Sequence, residues 1–120
     1  MLRTLVGGLA ATLALTSFAV SAATTLDTVR GRGQLACAIH PGQTGMSYLD
    51  DKGEWRGFFV DYCRALAAAV LRDASRVRFL PTASNKRFAV LQTGEVDVLS
   101  RTTTWTFTRD TGLGLNFTGI

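Results

Sequence analysis

A single histidine, His40, and only two cysteines, Cys37 and Cys63, occur in the 120 residues of this chain. That scarcity removes most catalytic and metal-binding schemes. There is no HExxH pair, no Walker loop, no paired carboxylates and no cysteine-rich metal spacing. Cys37, Cys63 and His40 are the one set able to ligate zinc on paper, and Cys37 falls inside a predicted strand, which argues against a metal site. No cofactor is expected. The chain also lacks a run of like charge. Its 13 Lys and Arg against 9 Asp and Glu give a net charge of +4, but the arginines are scattered and form no basic stripe, so the surface reads as solvated and no nucleic-acid partner is expected. The length allows no more than one domain.

What is present is unevenly placed. Met1-Leu2-Arg3 is a short basic segment, Leu5 to Val20 is apolar, and Val20-Ser21-Ala22 offers the small residues that a signal peptidase needs. Residues 1–22 therefore read as a cleaved export signal rather than an anchor, because Thr12, Thr16 and Ser17 interrupt a run that would need roughly 20 apolar residues to span a bilayer. Residues 23–120 follow as the mature part, and no second apolar run is long enough to cross a membrane. Export implies a periplasmic, oxidising compartment, in which Cys37 and Cys63 either pair or remain as two buried thiols.

Along the mature part, Gln34 to Ile39 is a short run without helical period, bounded by Gly33 and Pro41-Gly42, and predicts a buried strand. Met46–Leu49 and Glu54–Phe58 flank Asp50-Asp51-Lys52-Gly53, a polar tetrad ending in glycine, and predict a hairpin. Phe59, Cys63, Leu66 and Val70 fall on one stripe of a helix running to Arg72. Val77–Leu80 predicts a strand that stops at Pro81, after which Ser84 or Asn85 is placed to cap a helix ending at Thr93 and Gly94. Val96–Leu99 predicts another strand, a short helical turn follows Thr106, and Leu115–Phe117 begins one more strand. Trp55, Phe58, Phe59 and Phe88 are assigned to core or hairpin packing, and Asp61 and Asp97 to structural roles, Asp97 bonding backbone. Strands alternating with helices predict an α/β fold, a mainly parallel sheet covered by helices, with ligands outside the carboxyl ends of the strands.

One such end carries a dense polar segment. Ser100-Arg101-Thr102-Thr103-Thr104-Trp105-Thr106-Phe107-Thr108-Arg109 crowds hydroxyls and two guanidinium groups into ten residues. If Thr106 caps the next turn, Arg109 lies near its positive end, and hydroxyls, N–H groups and a bidentate guanidinium aimed at one point would hold a carboxylate. Composition alone leans to the alternative, a solvated threonine-rich loop with Arg109 in a surface ion pair. Asn116-Phe117-Thr118 matches a glycosylation sequon and carries little weight.

Three segments then agree in order: Gly57 to Val70, Gly94-Glu95-Val96-Asp97-Val98-Leu99-Ser100-Arg101, and Thr103-Thr104-Trp105-Thr106 with Arg109-Asp110. Together they resemble the extracytoplasmic solute-binding proteins of polar amino-acid ABC transporters, with the nearest likeness to the general L-amino-acid-binding type. The resemblance covers the signal and essentially all of residues 26–120. It implies a type II periplasmic-binding-protein-like fold, a non-catalytic, monomeric receptor that closes two lobes on an amino acid, and a membrane permease as partner. It also implies that Thr102, Thr104 and Arg109 bind the ligand's α-carboxylate, which turns the balance against the solvated loop. His40, Gln43 and Ser84 become pocket-lining candidates by position.

The chain departs from the family at Phe59, where an acidic residue is usual, and at Gln43 and Ser84, near which relatives often place aromatic rings. The family also continues past the point where this chain stops, through a hinge into a second lobe. The expectation is therefore a truncated N-terminal lobe. The competing functional readings are a periplasmic dehydratase on the same fold, for which His40 is the only general acid or base at hand, and a fragment without function of its own.

Overall fold

The computed structural model describes residues 23–118; the predicted export signal lies outside the described residues. The elements are α1 (Thr25–Arg32), β1 (Leu35–Ile39), β2 (Tyr48–Leu49), β3 (Trp55–Arg56), α2 (Phe58–Leu71), β4 (Val77–Pro81), α3 (Arg87–Gln92), β5 (Val98–Leu99) and a π-helical turn at Thr108–Gly112. β1 is the central strand of a parallel sheet ordered β4-β1-β5. Its register sets Leu35 against Val77, Ile39 against Pro81 and Cys37 against Val98.

All five residues of β1 are buried, which explains a run without alternation: both faces of the strand are covered. The period of two survives in what each residue meets. Cys37 and Ile39 pack with Val60 and Cys63 of α2, and Leu35 packs with Val29 of α1 and Ala67 of α2. Ala36 and Ala38 face the other way, into a cluster with Val96 that Val90 and Leu91 of α3 cover. Their small side chains let α3 come close to the sheet.

The buried stripe of α2 is Val60, Cys63 and Ala67; Cys63 lies on the predicted stripe, and the other two lie one position beyond Phe59 and Leu66. Phe59, Leu66 and Val70 flank it half-buried, because small residues at the helix centre bring its axis near the sheet and push the larger side chains to the margins. Phe58, assigned to core or hairpin packing, is 59% exposed: it occupies the first position of α2 and meets the Phe59 ring edge-on. Within this layer Cys37 and Cys63 are joined by a disulfide across a separation of 26 residues. Thiol titration of unfolded, unreduced protein is expected to find no free sulfhydryl, and reduction should lower stability by about 3 kcal/mol, measured by denaturant titration with and without reductant. Two thiols in periplasmic material would contradict the bond.

Gly57 places the start of α2. Its φ of +113° is open to glycine, and an added Cβ would lie 2.5 Å from the backbone C and O of Met46. This close approach lets the first amides of the helix bond to the preceding loop, Phe58 N–H to Gly45 O at 3.1 Å and Phe59 N–H to Met46 O at 2.8 Å. Gly57→Ala is expected to cost about 3 kcal/mol or more, read as a lowered denaturation midpoint; an unchanged midpoint would show that the loop yields freely.

α1 is absent from the predicted elements. Thr24 and Asp27 form a reciprocal capping box and Gly33 closes the helix in the left-handed conformation, yet only Val29 is buried, so no apolar period announces it. Asp97 bonds backbone as expected: its carboxylate accepts the Ala36 N–H at 2.7 Å and pairs with Arg32. The hairpin forms around Asp50, whose Oδ1 accepts the Lys52 and Glu54 N–H groups, both at 2.9 Å. The Glu54 N–H first, and then the Arg56 guanidinium, which donates from Nε to Oδ2 at 3.0 Å, hold its carboxyl below the usual range.

Two further expectations are corrected. α3 begins at Arg87, with Lys86 at the N-cap and no side-chain cap bond; Ser84 caps nothing because its Oγ accepts from Arg101. Leu115–Phe117 is not a strand. Leu115 is buried, and Phe117 stacks on Trp105 with ring centroids 5.6 Å apart, so side-chain packing holds this segment rather than a backbone ladder.

Candidate functional site

The parallel sheet brings the carboxyl ends of β1, β4 and β5 to one edge, with the crossover helices α2 and α3 on opposite faces. Backbone bonds fix the three ends together: Thr82 N–H to Ile39 O and Ser100 N–H to Ala38 O, each 2.9 Å. Ser100, buried, donates its hydroxyl to Phe59 O at 3.1 Å and ties the end of β5 to the first turn of α2. The segment that follows has no room to drift at its origin, and its next residues form the rim of the edge.

Thr102 and Thr104 are exposed there. Thr102 Oγ1 donates to Gln43 Oε1 at 3.3 Å, which joins two of the predicted residues from distant parts of the chain. Thr106 Oγ1 accepts the Arg109 N–H at 3.3 Å, the bond expected of a cap, but the turn is π-helical and its N-cap position falls one residue later, at Phe107, which makes no side-chain cap bond. The consequence for Arg109 is a guanidinium folded back over the loop, donating from Nη1 to Thr104 O at 2.7 Å and lying 5.2 Å from the centre of the Phe88 ring. Arg109 pairs with no carboxylate among the described residues. The guanidinium carbon lies over the aromatic ring, and the donors not bonded to Thr104 remain for an anion.

Ser84 lies on the neighbouring loop after β4. His40 turns onto its own loop, its Nδ1 accepting the Gly42 N–H at 3.2 Å, while its carbonyl accepts the Ser47 hydroxyl at 2.8 Å. It makes no hydrogen bond to Thr102, Thr104 or Arg109. Sequence reasoning gave no role to Arg101 or Arg87, which hold Ser84 from two sides: Arg101 Nη2 donates to its Oγ at 2.9 Å and Arg87 donates to its carbonyl. The signal available was the Ser100-Arg101-Thr102 junction, where an arginine directly follows a strand inside the polar segment. Among the described residues no group of histidine, cysteine, aspartate and glutamate is arranged to hold a metal ion.

Residues 35–115 match the sequence profile of the bacterial extracellular solute-binding proteins, family 3. The chain belongs to that family. Among its curated relatives, the general L-amino acid-binding periplasmic protein AapJ of Rhizobium johnstonii is 50% identical over 108 residues, which are 90% of this chain and 31% of the relative. The glutamate/glutamine/aspartate/asparagine-binding protein BztA of Rhodobacter capsulatus is 49% identical over 100 residues, 83% of this chain and 30% of the relative. This family-3 chain thus spans about a third of the length of the relatives it matches.

Solved structures agree. A periplasmic binding protein of an ABC transporter from Brucella ovis, with glutathione bound, superposes with a TM-score of 0.79 at 52% identity, over 82% of this chain and 31% of that one. An ancestral cyclohexadienyl dehydratase, AncCDT-3, superposes at 0.65 with 30% identity, over 75% of this chain and 36% of that one. Domain 1 of TmArgBP, a variant in its arginine-bound form, superposes at 0.63 with 22% identity, over 71% of this chain and 64% of that domain. The fold is that of type II periplasmic binding proteins, and residues 23–118 form part of one lobe of it.

Proposed function

We propose that the complete protein carrying this chain is the periplasmic amino-acid receptor of an ABC importer, exported by cleavage after Ala22, and that Thr102, Thr104 and Arg109 hold the ligand's α-carboxylate. The observation that carries this reading is Arg109: a guanidinium seated on Phe88, with no carboxylate partner among the described residues, beside threonine hydroxyls at the end of a parallel strand. The names of the AapJ and BztA relatives support an amino acid as the ligand class. Gln43 and Thr102, already in contact, line the same rim. The receptor acts as a monomer, needs no cofactor, and delivers its ligand to a membrane permease.

Calorimetric titration of the complete protein with a panel of L-amino acids and their α-amides tests it. Binding of the acids with loss of binding on amidation is expected. Equal binding of the amides would overturn the carboxylate assignment, and no binding to the panel would overturn the receptor.

The likeness to an ancestral dehydratase keeps an enzyme in view. The reading preferred here is binding without turnover, because His40, the lone histidine, spends its Nδ1 on Gly42. Incubation with a prephenate-like substrate is expected to release no product; release would reverse the assignment.

A further inference from the structure

Arg101 is buried, only 8% exposed. It donates to Thr82 O and to Ser84 Oγ, its Nε finds no partner, and it enters none of the five ion pairs among the described residues. A buried guanidinium without a counter-ion is unfavourable, and here another cation, Arg87, acts on it. Desolvation first, and then Arg87, lower the Arg101 pKa. Arg87 has its own Nε buried without a partner and lies 4.4 Å from the centre of the same Phe88 ring that Arg109 approaches at 5.2 Å. Thr103, between Arg101 and Thr104, keeps its hydroxyl buried and unpartnered as well. Three guanidinium groups are thus linked through Ser84 and Phe88 with no negative group among them.

One α-carboxylate at Arg109 does not balance this arrangement. An amino acid brings its own ammonium, so a ligand with a neutral side chain adds no net negative charge. A second carboxylate does, and it supplies the acceptors that the remaining Nη–H groups of Arg87 and Arg101 require. We propose that Ser84, Arg87 and Arg101 form a second anion subsite beside Arg109, which takes the side-chain carboxylate of an acidic amino acid, so that the receptor prefers glutamate and aspartate to their amides. This rests on the amino-acid reading above and names the ligand class within it.

Glutamate and glutamine have nearly the same shape and differ in charge, so their ratio isolates the subsite. Calorimetry on the complete protein is expected to show glutamate bound at least about tenfold more tightly than glutamine, the size of one charged hydrogen bond. Arg101→Ala should abolish that preference while leaving glutamine affinity within about threefold. Arg87→Gln should act in the same direction, and Arg101→Lys should keep part of the ratio, since a point charge still attracts. Melting curves establish that each variant is folded, and if Arg101→Ala is not, Arg87→Gln and Arg101→Lys carry the comparison.

Equal affinities in the parent would overturn the subsite and leave the receptor standing. So would a parallel fall in both affinities on Arg101→Ala, which is the result of losing only its ties to Thr82 and Ser84. A parent that binds no amino acid at all would remove the receptor reading itself.

Discussion

Arg109→Ala in the complete protein that carries this chain is expected to weaken amino-acid binding by about two to four powers of ten, because two charged hydrogen bonds of roughly 1.5 to 3 kcal/mol each are lost. Arg109→Lys should do nearly as much harm. The parallel donors of a guanidinium match the two oxygens of a carboxylate, and an ammonium on a flexible stem cannot reproduce them. Thr104→Val should have a smaller effect, since it removes one neutral hydroxyl while the backbone carbonyl that positions Arg109 remains. Calorimetry against the best ligand of the panel measures all three. An Arg109→Ala protein that binds like its parent would show that the carboxylate is held elsewhere.

The second large effect is expected from the chain by itself. Under the receptor reading, a second lobe closes over the ligand and supplies contacts to its amino group. Residues 23–118 offer one open rim, where water competes for Thr102, Thr104 and Arg109. Loss of about 4 kcal/mol of contacts corresponds to affinity roughly a thousandfold below that of the complete protein. Phe58, Trp105 and Phe107 are 59%, 56% and 82% exposed, and apolar surface of this kind favours self-association. Titration and size-exclusion chromatography of residues 23–120 beside the complete protein provide the comparison. A monomer that melts cooperatively and binds as tightly as the complete protein would refute the half-site argument.

Much of this fold is legible in the residue order. The buried strand, the hairpin around Asp50, the long helix and the strand before Pro81 all declare themselves by local periods and turn residues, and those signals act within a few positions. The elements misread either lack an apolar period or owe their packing to distant residues. α1 buries only Val29, so its capping box was its sole announcement. Leu115 to Phe117 carries the composition of a strand but is held by stacking on Trp105. The stripe of α2 is offset because the sheet selects small residues for close approach, and apolarity alone does not distinguish Cys63 and Ala67 from Leu66 and Val70.

The same division runs through the site. By itself the sequence determined the α/β class and the position of the polar segment, Arg109 within it, at the end of β5, since each follows from residues near one another in the chain. Only the tertiary structure decided which residues share that rim. Parallel pairing of β4, β1 and β5 brings Ser84, Thr102 and Gln43 together across dozens of intervening residues. It also buries Arg101, on which Arg87 acts, with no ion pair to a carboxylate among the described residues. Whether a charged side chain is solvated or enclosed depends on what other parts of the chain pack around it, and no local pattern of residues encodes that.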